Sequence, residues 1–369
     1  MTVDLYAVHM SSSGAGADGD KCRADHMSST LSRRRVLTAA AAFGGFTIVG
    51  ISVAACQQIR HLGAVADDGR TPATPGASGP TALPAAVTDA GSRRPSTFPA
   101  LPDRVVSMWM FTFDPPSLGQ LPADVVDVLS HVVFGMAQSA APGTATLRWT
   151  PTTQGADETA TQIARLVARD MPVLLGIGGS SDGGITLTND VQVDQMVTSI
   201  GEMVDRYGFT GIDLDLEPSG SSWSEASVAA AAKALKKRYG QTFLVGLTVA
   251  LYGDHTARWL SLARALGDDF DYWAPMLYDF PEAGDTRLVQ IAADRVATAV
   301  AGGIPARKQV LGFMCNAPQN SSPVDVAGQV WAGVHEAHRD IRGAFIWESK
   351  LEKAADYAWT RKVGKLIAG

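Results

Sequence analysis

The stretch Gly211-Ile212-Asp213-Leu214-Asp215-Leu216-Glu217 alternates large aliphatic side chains with acids, and the loop-forming residues 218–220 follow at once. Such alternation is typical of a β-strand, in which successive side chains point to opposite faces. Asp213, Asp215 and Glu217 therefore share one face, where their mutual repulsion favours a form in which one acid keeps its proton near neutral pH. A general acid needs that property, and Glu217, the last acid before the loop, is the candidate. The alternative is a half-buried strand with a solvated acidic face.

Short apolar runs recur from residue 105 onward and alternate with helical patterns. This alternation predicts βα units and a parallel sheet. The eight predicted strands are residues 105–111, 131–136, 173–178, 211–217, 243–250, 272–278, 310–314 and 343–347. The predicted helices between them include residues 161–169, 190–207, 224–239, 286–300 and 324–338.

Eight strand-helix units predict an α/β fold of the (β/α)8 TIM barrel type. They occupy about 265 residues, and such barrels typically have about 250. A doubly wound open sheet is the structural alternative, but it leaves the eighth strand without a natural place. In a barrel the active site lies at the carboxyl ends of the strands. Glu217 stands at such an end, which favours a reaction centre over a solvated strand face.

The composition of the 369 residues fits one sizeable folded domain with appendages, because 46% are hydrophobic and 18% are charged. A net charge of -6 argues against a general nucleic-acid binder, which usually carries a basic stripe. Cys22, Cys56 and Cys315 are too few and too dispersed for a disulfide framework or a zinc cluster. The histidines lack metal-site spacing and there is no phosphate-cradling loop, so we expect neither a metal nor a cofactor.

The first 56 residues have the features of a bacterial export signal. Ser32-Arg33-Arg34-Arg35 precedes an uncharged stretch at residues 36–55, and the paired arginines resemble a twin-arginine signal. Val53-Ala54-Ala55-Cys56 resembles a lipobox, which makes Cys56 the candidate for lipidation. The alternatives are cleavage that releases a secreted protein, or an uncleaved anchor, since about 20 apolar residues can span a bilayer. Met27 would give a more ordinary start to such a signal.

Residues 57–102 are rich in Ala, Thr, Ser, Gly and Pro, with seven prolines from Pro72 to Pro102, and are expected to form a disordered linker. Residues 103–369 then form the barrel. We expect a monomer that is exported and tethered by Cys56 to the outer face of the bacterial cytoplasmic membrane, with secretion as the alternative.

Four of the predicted strands carry short motifs in a fixed order. They are Gly176-Ile177-Gly178-Gly179 on the third strand, residues 211–217 on the fourth, Met276-Leu277-Tyr278-Asp279 on the sixth and Trp347 on the eighth. These resemble the SxGG, DxxDxDxE and MxYD motifs and the pocket-floor tryptophan of glycoside hydrolase family 18, the chitinases and endo-β-N-acetylglucosaminidases. The resemblance spans nearly all of residues 105–369. Two positions depart from the family pattern: Thr210 stands at the first acid of its signature, and Gly176 at the serine of SxGG.

The resemblance implies a retaining, substrate-assisted hydrolysis of glycans that contain β-linked N-acetylglucosamine, to which the usual two-carboxylate scheme does not apply. Glu217 would protonate the leaving glycosidic oxygen while the substrate's acetamido carbonyl attacks the anomeric carbon. Asp215 would orient that acetamido group and Asp213 would share a proton with Asp215, so that the two titrate as a unit. Tyr278 would offer its hydroxyl to the acetamido oxygen.

Five further residues are candidates for substrate binding. Trp347 offers a flat apolar face to a sugar ring, Asp279 follows the strand end, and Met276 shares the inward direction of Tyr278. Trp109 on the first strand and Trp223 after the catalytic loop are the remaining candidates. For Trp109, Tyr278 and Trp347 the alternative is ordinary core packing, and for Trp223 it is a role at the start of the following helix.

The sequence therefore predicts a glycosidase that acts on an acetamido-sugar glycan. Two other classes stay open: a carbohydrate-binding lectin on the same barrel, against which the retained Glu217 counts, and a structural lipoprotein of the cell envelope. The loop sequences do not indicate which glycan is the natural substrate.

Overall fold

The computed structural model describes residues 92–111, 117–151, 155–180, 184–217, 221–251 and 255–369. Each of the eight predicted runs contains a strand in this structure. The strands are β1 Val105–Phe111, β2 His131–Ser139, β3 Val173–Gly178, β4 Gly211–Asp215, β5 Leu244–Val249, β6 Tyr272–Pro275, β7 Val310–Met314 and β8 Gly343–Trp347.

The strands form one parallel sheet in the order β7-β8-β1-β2-β3-β4-β5-β6. The two ends of this order meet through parallel bridges, Trp273 with Gln309 and Met276 with Gly312. The sheet is therefore a nearly closed eight-stranded barrel. This confirms the predicted (β/α)8 fold and excludes the doubly wound alternative.

Helices follow the strands and cover the barrel. They are α1 Ala123–Val126, α2 Ala156–Val167, α3 Asp190–Tyr207, α4 Glu225–Tyr239, α5 His255–Leu266, α6 Arg287–Ala301, α7 Val324–Ala337, α8 Ser349–Ala354 and α9 Lys365–Ala368. Asn189 accepts a hydrogen bond from the backbone of Gln192 at the start of α3, and Gly208 ends that helix with a φ of 84°. These end signals explain why the bounds of α3 were predicted correctly. The helices named from the sequence do not include α1, α5, α8 or α9.

Large side chains fill the interior of the barrel, and glycines on neighbouring strands make room for them. A Cβ atom added at Gly176, Gly246 or Gly312 would lie 2.2–2.4 Å from an aromatic carbon, closer than any real contact. The pairs are Trp109 over Gly176, Tyr272 over Gly246 and Phe345 over Gly312. These glycines therefore serve the packing of the barrel interior.

Residues 92–104 pack against the barrel, at the amino ends of its strands. The backbone N–H of Arg93 donates to the carbonyl of Asp205 at 2.7 Å. Phe98 packs edge-on against Tyr239, with ring centroids 6.0 Å apart, and Leu101 packs against the side chains of the barrel interior. The packed domain therefore extends back at least to Arg93, into the region whose composition predicted a linker.

The predicted export signal and Cys56, like the linker up to residue 91, lie outside the described residues. Among the helices that the structure describes, none has the length and apolar character needed to cross a bilayer.

Candidate active site

The acidic face of β4 leads to the carboxyl end of the barrel. The strand ends at Asp215, and the Glu217 N–H donates to the Asp215 carbonyl at 3.1 Å, so the chain turns there. The predicted strand was therefore two residues too long. Asp213 and Asp215 are buried, at 1% and 2% exposure, whereas Glu217 is half-buried. The three acids lie at increasing height, and only Glu217 reaches solvent.

Asp213 is the deepest of the three acids. Burial raises the pKa of its carboxyl to about 6, although the hydrogen bond from Tyr272 lowers the pKa in part. The hydroxyl of Tyr272, on β6, donates to Asp213 Oδ2. Sequence reasoning missed Tyr272. The sequence did contain one indication of its position: Tyr272 precedes Met276 by four residues, so both side chains are expected to point into the barrel.

Asp215 stands one step higher and is strongly biased toward its protonated form. Burial is the main cause, and the charges of Glu217, Asp213 and Asp279 also raise its pKa well above the usual range. Within the described part of the chain, neither Asp213 Oδ1 nor Asp215 Oδ1 has a hydrogen-bond partner. Buried polar atoms are normally paired, so these oxygens have bonding capacity left for a bound molecule.

Glu217 has the protonation behaviour of a general acid. Burial and, to a smaller extent, the charge of Asp279 together raise the pKa of its carboxyl to about 7. A group with that pKa holds its proton in a large fraction of molecules near neutral pH and gives up the proton readily. The half-buried position leaves it open to a bound molecule.

The end of β6 faces these acids. Tyr278 is 5% exposed, and burial together with the charge of Asp215 raises its phenol pKa well above the usual range, so it stays a hydrogen-bond donor. Met276 is buried in the barrel interior, as its inward direction predicted. Asp279 is exposed beside the site, with a φ of 65°, and its N–H donates to the Asn320 carbonyl at 3.0 Å.

Trp347 ends β8 and is half-buried among aromatic rings. Its ring centroid is 5.2 Å from that of Trp109 and 5.0 Å from that of Phe111, which is also half-buried. Trp109 itself is 1% exposed. Trp109, predicted to bind substrate, thus lies in the barrel interior, where it packs against Trp347 and Gly176 leaves space for its ring. Phe111, which is half-buried, is the more accessible neighbour of Trp347.

Trp223, the second tryptophan predicted to bind substrate, is buried beside the turn that follows β4. It is 4% exposed, the guanidinium carbon of Arg258 lies 3.7 Å from its ring centroid, and the Trp259 ring packs at 5.3 Å. Its indole N–H donates to the Leu216 carbonyl at 3.1 Å. Trp223 therefore supports the turn that carries Glu217.

The two departures from the family pattern have structural explanations. Thr210 lies at the amino end of β4, where its Oγ1 accepts from the Val173 N–H at 2.9 Å and donates to the Val173 carbonyl at 3.2 Å. It joins β3 to β4, five residues before Asp215. Gly176 lies beside Asp213 in the sheet, and the Trp109 ring fills the space that a side chain at Gly176 would need.

Metal-binding residue types do not cluster in the described part of the chain. No group of three or more His, Cys, Asp or Glu residues there has the arrangement of a metal site. His131 is fully buried, and burial lowers the pKa of its imidazole to about 3, so it stays neutral. What the site presents is three acids, a protonated phenol and an aromatic floor.

Comparison with protein families identifies this arrangement. The model of glycosyl hydrolases family 18 matches residues 109–359. The chain belongs to this family. Its acids, Tyr278 and Trp347 all fall within the matched region.

A curated relative shares the sequence at a distance. Chitinase D of Niallia circulans is 25% identical over 298 residues, which cover 73% of this chain and 55% of the relative. The chain thus spans about half the length of that curated relative.

Solved structures share the fold. A family 18 chitinase from Chromobacterium violaceum is 21% identical with a TM-score of 0.62, covering 73% of this chain and 85% of the other. The catalytic domain of a family 18 chitinase from the fern Peteris ryukyuensis is 14% identical with a TM-score of 0.60, covering 72% and 100%. At these identities the likeness concerns the barrel alone.

Proposed function

We propose that this domain hydrolyses chitin-like glycans of β-linked N-acetylglucosamine, with retention of configuration and assistance from the substrate's acetamido group. One observation carries the proposal: Glu217, with a pKa of about 7, stands at the carboxyl end of β4 directly above the buried, raised-pKa Asp215. A protonated acid beside a group with unused hydrogen-bonding capacity is what this reaction requires.

The first step transfers the Glu217 proton to the glycosidic oxygen. As the bond between that oxygen and the anomeric carbon breaks, its electron pair stays on the oxygen, which leaves as a hydroxyl. The acetamido carbonyl oxygen bonds to the anomeric carbon from the other side and forms a cyclic oxazolinium ion. Water then attacks the anomeric carbon, gives a proton to the Glu217 carboxylate and reopens the ring.

Asp215 and Tyr278 hold the acetamido group. The free Oδ1 of Asp215 accepts the acetamido N–H, and the protonated phenol of Tyr278 donates to the acetamido oxygen. Both contacts orient the internal nucleophile. Holding a nucleophile in the reactive geometry raises its effective molarity, which accounts for a large part of the rate enhancement. A sugar without the acetamido group lacks both the internal nucleophile and the atoms that Asp215 and Tyr278 would bind.

The aromatic floor supplies apolar contact for the sugar ring. Trp347 and Phe111 meet nearly at right angles, with an interplanar angle of 88°, and both are half-buried. A flat ring at the base of the site favours stacking with a pyranose face. The proposed substrate class therefore combines an apolar sugar face with an acetamido group.

The test compares Glu217→Gln with Glu336→Gln, an exposed position on α7. Glutamine keeps the shape but cannot donate the proton, so Glu217→Gln should lose roughly 100-fold to 10,000-fold in kcat/KM on chromogenic chitooligosaccharides. Glu336→Gln should keep full activity. Equal activity of the two variants would remove Glu217 from the mechanism. A wild type that binds these oligomers without turnover would instead show a lectin.

Substrate assistance has its own test on the wild type. Fully N-deacetylated oligomers of the same length should not be cleaved, since they lack the internal nucleophile. Cleavage of both series at similar rates would refute the assisted mechanism while leaving hydrolysis itself intact.

The proposed location is the outer face of the bacterial membrane, with Cys56 as a lipid anchor and secretion as the alternative. The support is in the sequence: paired arginines at residues 33–35, an uncharged stretch and a lipobox-like end. Mass spectrometry of the exported protein decides between them, because an anchored form begins at Cys56 with added acyl mass, whereas a secreted form begins elsewhere without it.

A further inference from the structure

Tyr272 is a buried phenol that the proposed mechanism does not use. It lies on β6, is 2% exposed, and its hydroxyl donates to Asp213 Oδ2 in the barrel interior. A hydrogen bond to an ionised carboxylate is stronger than one between neutral groups. The ionised form of Asp213 therefore gains from this contact.

The register of the sheet explains how a side chain on β6 reaches an acid on β4. Asp213 pairs with Gly246 on β5, and Gly246 pairs with Tyr272. A Cβ at Gly246 would lie 2.2 Å from Tyr272 Cζ and 2.4 Å from its hydroxyl oxygen. The absence of a side chain on β5 opens the path across that strand.

Among the residues that the structure describes, the opposite flank of Asp213 offers no comparable donor. Its partner on β3 is Gly176, and the space there holds the apolar edge of the Trp109 ring. On β5, the Thr248 side chain lies close enough to lower the pKa of Asp213, but its hydroxyl has no hydrogen-bond partner among the described residues. Within the described part of the chain, the Tyr272 hydroxyl is therefore the side-chain donor to Asp213.

The surroundings hold the Tyr272 ring in place. His131 on β2 meets it edge-on, with centroids 5.4 Å apart, and His131 Nδ1 lies 2.7 Å from Ser107 Oγ. The titratable groups around Asp213 are Asp215 on β4, Tyr272 and Tyr278 on β6 and, behind the Tyr272 ring, His131. The imidazole stays neutral and both phenols keep their protons, so only the two aspartates exchange a proton.

We propose that Tyr272 is a positioning residue for the reaction: its hydroxyl keeps Asp213 ionised and ready to accept the proton that it shares with Asp215. The inference rests on the proposed function, in which positive charge develops on the acetamido nitrogen beside Asp215. As that charge develops, the proton moves from Asp215 to Asp213 and leaves Asp215 as a carboxylate. The Tyr272 hydroxyl fixes Asp213 in the orientation that receives it.

The experiment removes one hydroxyl and follows kcat/KM against pH with a soluble chitooligosaccharide. In Tyr272→Phe the ring still packs against Gly246 and His131, but Asp213 loses a donor and its pKa rises. The acid limb of the profile should move upward by about one to two pH units, the range that a hydrogen bond to a charged group provides. Tyr239→Phe, which removes a buried hydroxyl on α4, should change neither limb. A uniform loss at all pH values in Tyr272→Phe would show a merely structural role and overturn the proposal.

Two further variants keep the proposal testable if Tyr272→Phe folds poorly. Incorporation of 3-fluorotyrosine at position 272 strengthens the donor without changing the packing, and should move the acid limb downward. In an Asp213→Asn background, Tyr272→Phe should leave the profile unchanged, because Tyr272 acts through Asp213. The positioning role of Tyr272 is refuted if 3-fluorotyrosine leaves the acid limb where it is in the wild type. It is also refuted if Tyr272→Phe still moves the acid limb in the Asp213→Asn background.

A readout independent of hydrolysis separates this inference from the proposed function. Infrared titration follows the protonated carboxyl band of the buried aspartates, and in Tyr272→Phe that band should persist to higher pH than in the wild type. If no glycan is cleaved but the band shifts, the proposed function fails and the role of Tyr272 toward Asp213 stands. If hydrolysis is found and the band does not shift, only the inference fails.

Discussion

Replacing Asp213 by Asn should stabilise the folded protein at alkaline pH and not at acid pH. Burial raises the Asp213 pKa from 3.8 to about 6, so the folded state disfavours the ionised form. A raised carboxyl pKa contributes stability that is fully present below the unfolded pKa and is lost as pH rises through the folded pKa. A shift of about two units corresponds to about 3 kcal/mol of unfolding free energy.

The assay is urea unfolding of wild type and Asp213→Asn at about pH 4 and about pH 8, the window in which this linkage acts. Asparagine does not ionise, so the difference in unfolding free energy between variant and wild type should grow by about 3 kcal/mol in favour of the variant. Comparing the two pH values cancels any constant cost of the substitution. Asp340→Asn, at an exposed position after α7, is the control and should show no such growth. A difference that is equal at both pH values, or that shrinks at pH 8, would refute the burial argument.

Two further predictions concern Glu217 and the barrel interior. The first is Asp279→Asn, a substitution that the φ of 65° at this position accommodates. Because the charge of Asp279 helps to raise the pKa of Glu217, its loss should move the alkaline limb of kcat/KM from about pH 7 downward by on the order of half a unit. An upward shift of that limb in the pH–rate profile would contradict the prediction. Gly176→Ser should destabilise the protein by roughly 1–3 kcal/mol, because its Cβ meets Trp109 at 2.3 Å. Trp109→Phe should relieve that cost in a double-mutant cycle of urea unfolding, and strict additivity would show that the two residues do not interact.

The eight strands could be predicted because each is a short apolar run bounded by turn residues. Both faces of a parallel strand are buried, so its signal does not depend on a solvent face. Helix α3 was equally clear, since Asn189 and Gly208 mark its ends. By contrast, α1 is only four residues long, which is too short for a helical pattern to show in the sequence.

The sequence predicted those parts of the candidate site that depend only on which face of a strand a side chain occupies. Asp213, Asp215, Glu217 and Tyr278 come together because alternate residues share a face. Trp109 shows the limit: its inward direction was correct, but its depth depends on the space above a glycine two strands away. No local pattern in the sequence contains that information.

Tyr272 was missed for the same reason, and the pattern that explains it is long-range. Its side chain reaches Asp213 only because Gly246 stands between them in the sheet, 26 residues earlier than Tyr272. Gly176 on the other flank admits Trp109, which in turn supports Trp347. The two glycines beside Asp213 therefore serve both the packing of the barrel and the acid site. A methyl group at either position would displace a ring, and it would also change the surroundings that set the protonation of Asp213. The close packing of this interior is thus the physical link between the fold and the proposed chemistry.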